Sequence, residues 1–173
     1  MEEIDAFLEY LRYERNYSEE TEKSYRVDLL QFEEFAKSCE LQLIEVNPNT
    51  VREWVVQMMD KGISASSINR KLSALRTFYK YLLKKGSITA DPMRKISGPK
   101  KKKPLPVFVK EKDMDRLLDE VEFSEGFEGC RDKLIIQLFY ETGMRLAELV
   151  GLNDADVDFG TKVIKVTGKR NKQ

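Results

Sequence analysis

Arg145 and Glu148 have residue types and a spacing that suit the binding of a phosphate group. A guanidinium presents paired donors that hold two non-bridging oxygens at once, and it keeps its charge when water is removed. Glu148 follows three residues later, so on a helix both side chains share a face and the carboxylate can orient the guanidinium. An ordinary surface salt bridge between the two residues is the alternative. We therefore regard Arg145 as the first functional candidate and Glu148 as its partner.

Lys169 is a second candidate because it lies in a predicted turn, from Gly168 to Asn171. A lysine near a phosphate can give its proton to a departing oxygen, and a mobile turn lets it withdraw afterwards. Lys172 is a nearby rival for the same role. An exposed lysine in a basic turn would fit the same sequence, so the role depends on what surrounds the turn.

The charged residues are distributed very unevenly, although the net charge is zero. Residues 1–60 carry 6 basic and 15 acidic side chains, residues 61–110 carry 14 and 1, and residues 111–173 carry 10 and 14. Phosphate contacts dominate non-specific affinity for DNA, so a cationic block between acidic segments indicates a local contact surface for a polyanion. A solvated face followed by a charged linker would explain the same block.

A helix predicted from Ser64 to about Lys85 carries the first part of the cationic block. Its apolar arc consists of Ile68, Leu72, Leu75, Tyr79, Leu82 and Leu83. The opposite arc is basic and polar, and its candidate DNA-binding residues are Asn69, Arg70, Ser73, Arg76, Thr77, Lys80 and Lys84. One face is expected to pack, and the other is basic and polar and fits a contact surface for a polyanion.

Three further helices are predicted before this one. The first has an apolar stripe from Ile4 to Leu11, and the second begins after Ser18. The third begins after Asn47, has Pro48 in its first turn and stops at Gly62. Residues 1–87 are therefore predicted to form a helical domain.

Residues 88–107 are predicted to link two domains, because prolines and glycines interrupt the helical pattern there. The run formed by Lys100, Lys101, Lys102 and Lys103 repels itself and stays extended, so it can follow a phosphate backbone. In residues 108–173, helices resume, Tyr140 is expected to be a core aromatic, and two strands are predicted, the second from Lys162 to Thr167.

The composition excludes several other classes of protein. Cys39 and Cys130 are too few for a disulfide framework and are expected to be packed thiols, and without histidine no histidine-bearing metal site can form. No metal or cofactor is predicted. No apolar run approaches the roughly 20 residues of a membrane helix, and the acidic start does not resemble a secretion signal. We expect a cytoplasmic protein without membrane contact.

Several motifs together resemble the tyrosine site-specific recombinases of the phage integrase family, and among them the Xer type. The run from Ser67 to Tyr79 (SINRKLSALRTFY) resembles the fourth, DNA-facing helix of their core-binding domain. The run from Tyr140 to Leu149 (YETGMRLAEL) resembles their first catalytic box. Gly168 to Lys172 (GKRNK) resembles the hairpin that carries their catalytic lysine. The likeness extends over essentially all 173 residues.

The resemblance implies a mainly α fold: a four-helix SAM-like core-binding bundle, then an α-rich catalytic domain with a small antiparallel β-sheet. It implies that Arg145 grips the scissile phosphate and that Lys169 is the general acid for the leaving 5′ oxygen. The implied partner is a double-stranded DNA recombination site, on which the full-length protein acts as a homo- or hetero-tetramer within the nucleoid. A 3′-phosphotyrosyl link stores the bond energy, so no cofactor is implied.

The family pattern continues with a His-x-x-Arg box, a further histidine or tryptophan, and a tyrosine nucleophile, which find no match in this chain. We therefore expect a catalytic domain truncated before its nucleophile, which binds DNA but is inactive alone. A stand-alone DNA-binding module without catalysis is the alternative. Chromosome-dimer resolution and mobile-element integration both stay open as the purpose of the full-length protein, as does the choice between Lys169 and Lys172.

Overall fold

Helices α1 to α4 occupy the first part of the chain, and the last three follow residues that cap helices. Their bounds are α1 Glu2–Glu9, continued by a π-helical turn at Tyr10–Glu14, then α2 Glu19–Ser38, α3 Pro48–Asp60 and α4 Ala65–Lys85. The side chains of Ser18, Asn47 and Ser64 each accept a hydrogen bond from a backbone N–H of the turn that follows. Gly86 ends α4 with a φ of 78°. The helix starts predicted from these caps are confirmed.

The computed structural model describes residues 2–101, 105 and 107–168 and divides into two compact units, Met1–Pro104 and Leu105–Gln173. No helix among these described residues is long and apolar enough to cross a membrane. Cys39 and Cys130, which were expected to be packed, are both exposed. The environment of these two thiols was therefore wrongly predicted.

An apolar core between α1, α2, α3 and α4 fills the first unit. Phe32 of α2 meets Trp54 of α3 edge to face, with ring centroids 4.9 Å apart. Tyr79 of α4 is buried in the same core, and its hydroxyl donates a 3.0 Å hydrogen bond to the carbonyl of Leu43. Burial raises the pKa of Tyr79 far above its ordinary value, so the hydroxyl stays protonated and keeps donating.

The buried arc of α4 differs from the prediction at four positions, one of which is Ala74, a fully buried residue that was not predicted to pack. Leu83 was expected to pack but is 41% exposed near the end of the helix. Phe78 is fully buried because α1 covers that side of α4, with Phe7 and Phe78 ring centroids 5.3 Å apart. Lys71 is also buried, which apolar periodicity does not predict for a charged side chain.

The second unit joins three helices to a small sheet. Its elements are α5 Glu111–Glu120, α6 Phe127–Thr142, α7 Leu146–Val150, a 3₁₀ turn at Asp154–Asp156, β1 Val157–Asp158 and β2 Val163–Ile164. The two strands are antiparallel, with Val157 opposite Ile164. The second strand is shorter than predicted because β1 offers it two residues to pair with. The predicted fold class, mainly helical with a small antiparallel sheet, is confirmed.

Much of the surface of α6 is left exposed to solvent by the other described residues of the second unit. Gly129 and Met144 are the buried residues among positions 105 and 107–168. Tyr140, which was expected to be a core aromatic, is 43% exposed. The prediction took apolar character to mean burial, but α6 has apolar side chains on more than one side, and a helix of that kind needs neighbours all round it.

Candidate nucleic-acid interface and catalytic arginine

The polar face of α4 combines exposed cations with hydroxyls that are bonded inside the helix. Ser73 Oγ donates to the carbonyl of Asn69 at 2.9 Å, and Thr77 Oγ1 donates to the carbonyl of Ser73 at 2.9 Å. These hydroxyls therefore use their hydrogen on the backbone one turn earlier. Lys80 and Lys84 are exposed, and the Lys84 ammonium lies 5.3 Å from the centre of the Tyr10 ring, a cation–π contact.

Arg70 is attached to α2 through Asp28, a carboxylate with no exposed surface. Arg70 NH1 lies 2.5 Å from Asp28 Oδ2, and Lys71 Nζ lies 2.9 Å from Asp28 Oδ1. Lys71 also donates to Gln31 Oε1. Half of the Arg70 side chain is exposed, so the ion pair holds this guanidinium at the edge of the polar face. The sequence gives no sign of this cluster, because α2 and α4 contribute residues more than 40 positions apart.

Asn69 and Arg76, two other predicted DNA-binding residues, hold a later segment of the chain. We call this segment, Asp91–Pro99, the strap. Asn69 Nδ2 donates to the carbonyl of Pro99 at 2.9 Å, and Arg76 NH2 donates to the carbonyl of Ile96 at 2.9 Å. Both side chains are half-buried. The structure thus gives these two residues an intramolecular contact that sequence reasoning missed.

The strap lies within residues predicted to be an interdomain linker, but it packs on the first unit. Met93 is 4% exposed and Ile96 is 8% exposed, and both belong to the core of the bundle. Proline and glycine interrupt helices, yet they do not prevent neighbouring apolar side chains from packing. Lys100 and Lys101, which follow the strap, are exposed. Lys102 and Lys103 lie outside the described residues.

Three cations that sequence reasoning did not select line a groove beside the strap. Arg52 of α3 and Arg94 and Lys95 of the strap border an open groove of about 430 Å³, together with Asp91. All three cations are exposed. Two of them lie in the cationic block of residues 61–110, which was the available signal for them.

Arg145 lies at the start of α7, where it forms a double contact with Glu148. Glu148 Oε2 accepts the backbone N–H of Arg145 at 2.7 Å, and Glu148 Oε1 accepts from Arg145 NH1 at 2.6 Å. The backbone hydrogen bond, followed by the guanidinium, lowers the pKa of Glu148. The Arg145 side chain is 75% exposed and the Glu148 side chain 10%. The predicted partnership is therefore present, and most of the guanidinium's donors face outward.

Lys169 and its rival Lys172 lie outside the described residues, so the structure relates neither of them to Arg145. The last described residue is Gly168. Where the structure does describe the chain, no cluster of histidine, cysteine, aspartate or glutamate side chains has the arrangement of a metal site.

Two family models match the chain. The phage integrase N-terminal SAM-like domain matches residues 4–86, and the phage integrase family matches residues 107–173. Tyrosine recombinase XerC of Staphylococcus aureus USA300 is 37% identical over 169 residues, which cover 98% of this chain and 56% of XerC. XerC of Staphylococcus epidermidis is also 37% identical over 169 residues, covering 98% of this chain and 57% of that protein. The chain thus spans a little over half the length of these curated relatives.

Solved structures show the same fold. The Tn1549 transposon integrase in complex with circular intermediate DNA superimposes with a TM-score of 0.73 at 21% identity, covering 95% of this chain and 52% of the integrase. An integrase from mycobacterium phage Brujita gives a TM-score of 0.53 at 22% identity, covering 97% of this chain and 54% of that one. The two phage integrase models together match most of the chain, so this chain belongs to the phage integrase family, and the relatives named above are tyrosine recombinases.

Proposed function

We propose that this chain supplies the DNA-clamping domain and the phosphate-gripping arginine of a site-specific DNA recombinase. The observation that carries the proposal is the geometry of Arg145, which Glu148 holds at a helix start while most of its side chain stays exposed. An arginine fixed in this way is ready to receive a scissile phosphate. Family membership supports the enzyme class, and the reaction, the DNA partner and the residue roles are our proposal.

The first unit would bind duplex DNA through the polar face of α4 and the lysines that follow the strap. Lys80, Lys84, Lys100 and Lys101 are exposed cations of one compact unit. Each ammonium that neutralises a phosphate releases condensed counterions, which favours binding at low salt. Arg70 would add a guanidinium that its bond to Asp28 holds in place.

Arg145 would act on charge that grows during phosphoryl transfer. A tyrosine oxygen attacks the phosphorus, the bond to the 5′ oxygen breaks, and a 3′-phosphotyrosyl link forms. Two donors of one guanidinium can hold the non-bridging oxygens of the pentacoordinate transition state, where the negative charge is largest. We propose Lys169 as the donor of the proton that the departing 5′ oxygen takes up. The link keeps the bond energy for rejoining.

We also propose that these 173 residues alone do not cleave DNA. The sequence has no histidine, so it offers no match for the histidine-bearing boxes of the family. Tyr140 is the tyrosine that lies within the Arg145 box, five residues before the arginine. In the full-length protein, we propose four protomers holding two DNA sites.

A suicide substrate, a duplex nicked so that cleavage traps the covalent complex, tests binding and chemistry together. With the 173-residue chain we expect a shifted band on a native gel that disappears completely in detergent. No native shift at low salt would contradict the DNA-binding part of the proposal. A detergent-resistant band would contradict the inactivity, and its loss in Tyr140→Phe would identify Tyr140 as the nucleophile.

A further inference from the structure

The strap turns at residues 92–95, and the segment that follows this turn runs along α4 in the opposite direction. It is bonded at Ile96 to Arg76 and at Pro99 to Asn69. Seven residues of α-helix separate the two anchoring side chains, a rise of about 10.5 Å, and three residues of extended chain span about 10 Å. The two distances agree, so the anchors hold the strap parallel to the helix axis. The chain therefore reaches Lys100 beside the first turns of α4.

Gly98 allows this close approach. A Cβ atom built on Gly98 would lie 2.4 Å from Asn69 Oδ1 and 3.1 Å from a methyl carbon of Leu72. The Asn69 amide cannot simply turn away, because its nitrogen donates to the carbonyls of both Ala65 and Pro99, at 2.7 and 2.9 Å. A larger residue at position 98 would break at least one of these bonds or lift the strap from α4.

The anchoring donors belong to residues that the sequence indicated as DNA contacts. The Asn69 amide nitrogen donates both of its hydrogen bonds to backbone carbonyls, and Arg76 donates one hydrogen bond from its guanidinium to the carbonyl of Ile96. Ser73, on the same face between them, has no such task, because its hydroxyl is bonded within the helix. The polar face of α4 thus contains residues that fix the strap beside residues that are exposed to solvent.

We propose that Asn69, Arg76 and Gly98 are positioning residues, which fix Lys100 and Lys101 beside α4 so that the helix and these two lysines bind one DNA backbone. This inference rests on the proposed DNA binding and goes beyond it. Four adjacent lysines repel each other, and an unanchored run would sample many directions. Ordering such a run on DNA costs free energy, and the strap removes much of that cost before DNA arrives.

The test measures the affinity of the 173-residue chain for a labelled mixed-sequence duplex by fluorescence anisotropy. Gly98→Ala and Asn69→Ala should each weaken binding about five- to tenfold by releasing the strap. Ser38→Ala is the control and should change affinity less than about twofold, because the Ser38 hydroxyl is also bonded to a carbonyl of its own helix but lies on α2, outside the polar face of α4. Thermal melting reports whether each variant stays folded; Asn69→Ala creates no clash and serves if Gly98→Ala does not fold.

The decisive arm repeats both substitutions in a background in which Lys100 to Lys103 are glutamine. There, Gly98→Ala and Asn69→Ala should have almost no further effect, because no lysines are left to position. Neither substitution should change how the affinity depends on salt concentration. Replacing the four lysines with glutamine should lower the log–log slope of affinity against salt by about 3 to 4. Equal losses of affinity in both backgrounds would overturn this inference but not the proposed function. No binding by the unmodified chain would instead overturn the proposed function.

Discussion

Glu148 uses both of its carboxylate oxygens on Arg145, one on the backbone N–H at 2.7 Å and the other on the guanidinium at 2.6 Å. The carboxylate thus caps α7 and orients the arginine with the same contact. Protonation would weaken both bonds, because a neutral carboxyl group is a poorer acceptor.

The titration of Glu148 is the first prediction. These bonds lower its pKa, so the stability they contribute is present above the pKa of the unfolded chain and is lost as the pH falls through the folded pKa. A carbon-detected NMR titration should place the Glu148 midpoint below the ordinary value of 4.5. Arg145→Gln should move it back towards that value. A midpoint at or above 4.5 in the unmodified chain would contradict the double contact.

Arg145 should be needed for chemistry and not for site binding. In a recombination-competent enzyme that contains this chain, Arg145→Ala should slow cleavage at least about 1,000-fold, because it removes charge stabilisation in the transition state. Arg145→Lys should restore little, because one ammonium cannot hold two oxygens in the same way. Arg116→Ala is the matched control, since Arg116 is an exposed arginine paired with Glu120. Equal cleavage by the Arg145 and Arg116 variants would count against the role.

Asp28 should be essential for the stability of the first unit. Asp28→Ala leaves Lys71 buried without its carboxylate, a loss of about 3 kcal/mol or more in the free energy of unfolding. Asp5→Ala removes a comparable contact, the 2.6 Å pair with Arg26, from a position where both side chains are about half exposed. It should cost less than about 1 kcal/mol. Urea unfolding of the two variants compares them, and similar costs would show that burial does not decide the effect.

Lys169 and Lys172 can be distinguished by chemical rescue in the same recombination-competent enzyme. Lys169→Ala should slow cleavage of an ordinary phosphodiester far more than cleavage of a substrate whose 5′ bridging oxygen is sulfur. A thiolate leaves without needing a proton. If the sulfur substrate instead rescues Lys172→Ala, the general acid is Lys172.

Sequence patterns predicted those features that depend on neighbouring residues. Ser18, Asn47 and Ser64 act as caps because capping involves the next turn of the same helix. The contact between Arg145 and Glu148 was predictable for the same reason, since three residues separate them.

Features that join distant parts of the chain were not predictable in this way. Asp28 meets Arg70 and Lys71 across more than 40 residues, and no spacing rule relates these positions. Gly98 and Ile96 lie among residues whose composition indicates an irregular backbone, but composition does not say whether such a backbone packs. The sequence therefore predicted an interdomain linker here and gave no sign that the strap packs on the bundle.

The salt dependence of DNA binding tests the central claim, that the first unit carries a phosphate-binding surface on α4. We predict that the affinity of the 173-residue chain for duplex DNA falls steeply with salt, and that Lys80→Gln with Lys84→Gln lowers the log–log slope by about 2. The control, Lys23→Gln with Lys37→Gln, removes the same charge from α2, where the lysines pair with Glu19, Glu20 and Glu33. Its slope should match that of the unmodified chain. An equal change of slope in both variants, or an affinity independent of salt, would contradict the assignment of α4.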